Sequence, residues 1–242
     1  MRIKSIWLRR IHKWVGLAIG LQFLLWAVSG AAMALLDMEA VAGGQSAHER
    51  PAALVASPGA WPRVQQALAG QKITALSLRP LPWGQMLQVT TAQGVALFDP
   101  ADGQRVPIDR AKATAIARSA HPERATVTNA VALRDLPLAV RGHELPIWQI
   151  DFADAGHSSY YVSGTTGAIL ERRNDSWRWW DLFWMLHTMD YAERTSFNHP
   201  LIVLVGIAMA WLALTGVWLL FRTTWRHDFA WARRSRRPAR HP

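Results

Sequence analysis

Residues 201–221, LIVLVGIAMAWLALTGVWLLF, contain no charged side chain. A helix rises about 1.5 Å per residue, so this run covers roughly the 30 Å of a bilayer's hydrocarbon core. Lipid offers no partner for backbone N–H and C=O groups, and a helix lets a lone segment satisfy its own. The run is therefore predicted to be a transmembrane helix over 200–221. Proline suits the first helical position, where its missing N–H would be unpaired in any case. The helix is expected to begin at Pro200, with Asn198 or His199 as its cap.

A second apolar stretch covers 15–36. It follows a basic opening, residues 1–14, MRIKSIWLRRIHKW, in which Trp7 and Trp14 can anchor at headgroup depth. Ala40, Val41 and Ala42 form a small-x-small site downstream, which leaves a cleaved signal peptide as one reading. The apolar run exceeds the roughly 7–15 residues of a signal-peptide core, which favours a retained span. His12, Gly16 and Gly20 share one face at four-residue steps. Small residues at that spacing fit close helix packing; they also leave a flat space beside a histidine where a porphyrin could lie. The later span repeats the theme with Gly206 and Ala210, then Gly216.

The net charge of +10 invites a nucleic-acid reading, but its location argues against one. Residues 1–14 hold five Lys/Arg and no acid, and residues 222–242 hold seven Arg and one Asp. The middle, 37–176, holds thirteen bases and thirteen acids. Excess positive charge confined to the two ends, each flanking an apolar span, is the positive-inside pattern. Both termini are expected on the cytoplasmic side and the middle on the other side, which for a bacterial protein is the periplasm. The chain has no cysteine, which excludes disulfides, thiolate metal sites and a cysteine nucleophile.

Residues 37–58, rich in Ala, Gly, Ser and Pro, form a linker. Beyond it lies a weak internal repeat. The first unit, 59–107, has a helix near 61–69 and alternating strands near 73–78, 86–91 and 95–98, closed by the turn Asp99–Gly103. The second, 108–173, has a helix near 109–120 with an apolar stripe of Ala111, Ala115, Ile116 and Ala120. Strands follow near 126–133, 147–152 and 158–163, and a turn at 164–167 leads into 168–170. Each unit is one helix on a small antiparallel sheet, and together they can bury a modest shared core.

Residues 175–191 complete the outline. Ser176 or Asp175 can cap a helix in which Trp177, Trp180, Trp184, His187 and Tyr191 recur at three- and four-residue steps, while Arg178, Asp181 and Thr188 fall elsewhere. The segment is too short and polar to span, and tryptophan prefers headgroup depth, so it is expected to lie in the interface.

The opening LRRIHKWVGL, the unit ends FDPADGQRV and YYVSGTTGAIL, and the closing FWMLHTMDY, NHPLI and LALTGVWLLFR resemble the PepSY-domain membrane proteins of the bacterial inner membrane. The resemblance covers nearly the whole chain. Larger relatives of this type include siderophore reductases that hold b-type hemes between transmembrane helices through histidines. The resemblance implies that His12, His187 and His199 are the candidate heme ligands, with heme b as cofactor. This chain has two predicted spans where those relatives have a larger bundle.

Ionisable groups in membrane segments are costly without a partner, which sets these three histidines apart. His12 is expected at one membrane edge, with His187 and His199 at the other, roughly 30 Å away. One heme could lie between His187 and His199, within a protomer or across a dimer; His12 could pair with its own copy. His48, His121, His143, His157, His227 and His241 have surface or structural roles, as do Asp99, Asp102, Asp151 and Asp154. No Ser/His/Asp order, phosphate-cradling glycine loop or HExxH helix occurs.

The expectation is an α+β membrane protein: two transmembrane helices and an interfacial helix flanking a periplasmic domain of two helix-on-antiparallel-sheet units, with a basic tail at 222–242. Its expected function is heme-dependent electron transfer to ferric siderophore or another periplasmic acceptor. Its expected partners are membrane lipid and either a second copy or another membrane subunit, not nucleic acid. The alternative is a periplasmic binding or regulatory module, an accessory to a membrane complex, anchored by its helices.

Overall fold

The computed structural model describes residues 5–43, 57, 59–123, 125–191 and 198–234, giving backbone alone for Ser5 and 223–234. In chain order the elements are α1 (Ser5–Leu35), α2 (Met38–Val41), α3 (Ala60–Ala67), β1 (Ile73–Leu81), β2 (Gly84–Thr91) and β3 (Gly94–Phe98). After these come α4 (Arg110–Ala120), β4 (Val127–Ala132), a 3-10 turn at Leu138–Val140, β5 (Ile147–Phe152), β6 (Ser159–Ser163), β7 (Ile169–Arg173), α5 (Asp175–Thr188) and α6 (Pro200–Arg234). The chain divides into two compact units: Met1–Leu35 with Trp180–Pro242, and Leu36–Trp179.

The first unit is built on α1 and α6. They run antiparallel, since His12 meets Thr215 while Gly16, one turn further along α1, faces Leu212, one turn earlier on α6. On each helix a stripe at three- and four-residue steps is partly covered: His12, Val15, Gly16, Ile19, Gln22, Trp26 and Ser29 on α1, a spacing that presents one face to a neighbour. The other faces are apolar and bare, as at Leu17, Leu21 and Val28 on α1 and Leu204, Ile207 and Leu214 on α6. Only 6% of the apolar window in each helix is buried, which excludes a soluble protein's core helix and suits a surface solvated by lipid. α6 starts at Pro200 as expected, and the basic residues after Trp7 are already helical.

Two expectations for α5 are corrected. Its cap is Asn174, whose Oδ1 accepts from the N–H of Trp177 at 2.8 Å, not Ser176 or Asp175. Asparagine satisfies an orphan donor of the first turn as well as serine or aspartate does, and the register decides which residue is in place. The helix ends at Thr188, and Met189 turns left-handed at φ +58°, so Tyr191 leaves the face shared by the tryptophans. Trp180 and Trp184 stack at 5.1 Å with 17° between their planes.

The second unit holds the two predicted helix-on-sheet repeats. β1-β2-β3 form an antiparallel sheet, and β4-β5-β6-β7 a second. Val64 and Leu68 of the α3 region pack on Val89 and Phe98, covering one face of the first sheet. Met86 and Leu97 join Ile108, the α4 residues Ala113, Ile116 and Ala117, and the strand residues Ile150, Phe152, Tyr160 and Val162 in the largest core cluster. The repeats thus share a core, and Trp148 Nε1 donating to the Ile108 carbonyl at 2.8 Å ties β5 to the segment between them. The buried face of α4 is Ala113, Ile116 and Ala117, whereas Ala111 is exposed. Five alanines leave the apolar pattern nearly uniform around this helix, and the bulk of Ile116 decides which face turns inward.

The turn after β3 needs its glycine. Gly103 has φ +72°, and a Cβ there would collide with the carbonyl oxygen of Ala60 at the start of α3. Only glycine combines that backbone angle with so close an approach.

Candidate functional site

Each of the three histidines singled out by the sequence has a defined partner. His12, near the start of α1, places Nδ1 2.7 Å from Thr215 Oγ1 of α6. The Thr215 hydroxyl also lies 2.8 Å from the Trp211 carbonyl, one turn back on its own helix, and donates there. With the hydroxyl proton on that carbonyl, the lone pairs of Oγ1 face His12 and Nδ1 is the donor, which leaves Nε2 without a hydrogen-bond partner among the described residues.

His187, near the end of α5, repeats the arrangement on α1. Its Nδ1 is 3.2 Å from the Trp26 carbonyl and 3.2 Å from Ser29 Oγ. A carbonyl can only accept, so Nδ1 again carries the proton and Nε2 is the nitrogen left with a lone pair. The Ser29 hydroxyl donates to the Leu25 carbonyl at 2.6 Å, one turn back, as Thr215 does on α6.

The parallel extends to what surrounds each ring. Gly30 follows Ser29, and a Cβ at Gly30 would stand 3.3 Å from His187 Cε1; Gly216 follows Thr215, and a Cβ there would stand 3.5 Å from His12 Cε1. A tryptophan lies one turn before each hydroxyl. The Trp26 and His187 ring centroids are 6.4 Å apart, and those of Trp211 and His12 are 6.2 Å apart. Each imidazole thus lies against a glycine, anchored through Nδ1 to the residue before it. The two anchor points are far apart, because the 17 residues from His12 to Ser29 on α1 span about 25 Å.

His199 differs. Its Nε2 is 2.7 Å from the Thr188 carbonyl and must donate to it. Thr188 ends α5, so His199 satisfies one of the carbonyls that a helix C-terminus leaves unpaired. His187 and His199 therefore come near one another along the chain at Thr188, but only His187 keeps Nε2 open.

The glycine pair of α1 is not a close-packed seam within this unit. Gly16 meets Leu212 at an ordinary 3.8 Å, and an added Cβ at Gly20 or Gly206 would find nothing within 4 Å. Two buried donors on the inward stripe of α1, Gln22 Nε2 and Trp26 Nε1, have no hydrogen-bond partner among the described residues. Among the described residues no group of three or more His, Asp or Glu side chains gathers to hold a metal ion.

The remaining described histidines have structural places. His121 is buried against Phe152 at 4.4 Å, accepts from the N–H of Glu123 and lies 3.6 Å from Asp154. His143 pairs with Glu171 at 3.0 Å, and His157 with Asp175 at 2.6 Å. Asp151 accepts from Ser159 and Gln149 within its sheet. His48 and His241 lie outside the described residues, as does the side chain of His227.

The sequence did not point to Ser29, Gly30 or Thr215 as members of these sites. One signal was present: each span carries a hydroxyl residue followed by glycine, with a tryptophan three or four positions earlier.

Two apolar, outwardly bare helices that bind histidines on their inner faces, together with two helix-on-sheet units, define a membrane-anchored α+β protein. The chain matches the family described as the PepSY-associated TM region over residues 9–241, and it belongs to that family. No curated protein and no solved structure matches the chain significantly.

Proposed function

We propose that this protein is a heme-binding electron-transfer protein of the bacterial inner membrane. Its termini lie in the cytoplasm, and its helix-on-sheet region faces a periplasmic acceptor such as a ferric siderophore. The observation that carries the proposal is the pair of imidazoles, His12 and His187, each held through Nδ1 to a neighbouring helix with no hydrogen-bond partner at Nε2 among the described residues, at two depths about 25 Å apart along α1.

The donor set fits a b-type heme. Axial imidazole ligation uses a neutral ring whose second nitrogen donates to a carbonyl or hydroxyl, which fixes its orientation and strengthens it as a ligand. When bound, heme supplies one-electron redox chemistry. The residues of this chain orient the imidazoles, hold their protons on Nδ1 and set each ring against an apolar helix, α6 for His12 and α1 for His187. Among the described residues each depth receives one free Nε2 from the protomer, so a second copy would supply the opposing imidazole. The antiparallel pairing of α1 and α6 supports a common side for the two basic ends, and the positive-inside tendency assigns that side to the cytoplasm.

The test is the absorption spectrum, oxidised and dithionite-reduced, of the full chain purified in mild detergent from heme-sufficient cells. The expected result is a Soret band with sharp reduced α and β bands, diminished in His12→Ala and in His187→Ala. A colourless, folded and monodisperse preparation would overturn the proposal and leave the anchored regulatory module as the reading to pursue through what co-purifies.

A further inference from the structure

Resting on the assignment of His12 and His187 as ligands, we infer that Thr215 and Ser29 are positioning residues. Their hydroxyls select the Nδ1–H tautomer of the two imidazoles and aim each Nε2 as a donor.

Each hydroxyl already has an outlet for its one proton, the carbonyl one turn back on its own helix, at 2.8 Å from Thr215 and 2.6 Å from Ser29. Such back-bonding satisfies a serine or threonine in an apolar helix without any outside partner. Donation to the carbonyl turns the oxygen lone pairs outward, and in both sites they meet a histidine from another helix. The glycine after each hydroxyl lets the ring approach the helix backbone. The same hydroxyl, glycine and imidazole arrangement is thus built twice, from different helix pairs, with partners 203 and 158 positions apart in sequence.

The two clasps are unequal. His187 Nδ1 has two acceptors, Ser29 Oγ and the Trp26 carbonyl, both at 3.2 Å. His12 Nδ1 has the Thr215 hydroxyl at 2.7 Å, and no second acceptor for it is seen among the described residues. Loss of the hydroxyl therefore frees His12 more completely than His187.

A competing role is interhelical adhesion, since side-chain hydrogen bonds between membrane helices contribute modestly to their association. Adhesion alone would be lost in Thr215→Val as lower thermal stability, with no change at the ring.

The experiment uses the full chain in detergent, labelled with 15N-histidine, as wild type and as Thr215→Val, Thr215→Ser and Ser29→Ala. In heme-free protein the nitrogen shifts are expected to show His12 as a single Nδ1–H tautomer, a mixture in Thr215→Val, and the single form again in Thr215→Ser. In heme-loaded protein, Thr215→Val is expected to weaken heme retention about 10- to 100-fold and to raise the midpoint potential of one centre. A ligand deprived of its acceptor is a weaker donor to the oxidised iron. Ser29→Ala should move the other centre in the same direction by less.

Unchanged nitrogen shifts and an unchanged potential in Thr215→Val, with only its melting temperature lowered, would overturn the inference. Tautomer control in a protein that never takes up heme would uphold the clasps while removing the heme reading, so the two failures are distinguishable.

Discussion

The ring of His187 lies flush against Gly30, so that a Cβ added at the glycine would stand 3.3 Å from His187 Cε1, tighter than most contacts a real Cβ makes. Gly216 offers His12 the same bare surface at 3.5 Å, an ordinary contact. Gly30→Val adds two methyl groups beyond that first crowded atom and is expected to push the His187 ring off its Trp26 and Ser29 partners. Gly216→Ala is expected to be tolerated. The amplitude of the reduced α band per protein checks both: a clear loss in Gly30→Val, with little change in Gly216→Ala.

His199 should prove dispensable for heme. Its Nε2–H is committed to the Thr188 carbonyl, which leaves the lone pair on Nδ1, the nitrogen crowded by the ring's own Cβ, so His199→Ala is expected to keep the wild-type heme content while His12→Ala and His187→Ala each lower it. The cost of His199→Ala should appear instead as about 1 kcal/mol of stability at the end of α5. Pyridine hemochrome content together with thermal unfolding separates the two effects.

Asn174 makes two bonds with one side chain. Its Oδ1 caps α5 at Trp177, and its Nδ2 donates to the Ala40 carbonyl at 2.7 Å. Asn174→Ala is expected to lower stability by about 1–2 kcal/mol. Asn174→Asp, which keeps the cap but loses the donor, should fall between. Chemical denaturation of the three proteins in one detergent checks the order.

Asp154 makes the fold sensitive to acid. Burial pushes its carboxyl up, but hydrogen bonds from the Ser158 hydroxyl and N–H, with the nearby His121, outweigh burial and hold it below its ordinary value of 3.8. The lowered folded value means that the ionised carboxylate stabilises the fold above pH 3.8. This contribution is lost as pH falls from there through the folded value. Asp154→Asn should be less stable than wild type near pH 6 and show a flatter loss of stability below about pH 4. Parallel slopes for the two proteins in that acid range would contradict this account.

Much of the molecule is legible in the residues themselves. A charge-free run starting at Pro200 has one stable form in lipid, and the 2-residue alternation at Met86–Thr91 or Ile147–Phe152 fits only a half-buried strand. These are local constraints, so sequence suffices to find both spans and both helix-on-sheet units. Where the local pattern is flat, as among the alanines of α4, the buried face came from what Ile116 packs against.

The histidines mark the boundary most clearly. Their expected depth follows from position relative to the spans, but the partner of each ring follows from its neighbour: Thr215 for His12, Ser29 and the Trp26 carbonyl for His187, and the Thr188 carbonyl for His199. Sequence treats the three alike because an imidazole has two nitrogens of similar basicity. Only packing between helices distant in the chain decides which nitrogen of each ring meets a hydrogen-bond partner and which does not.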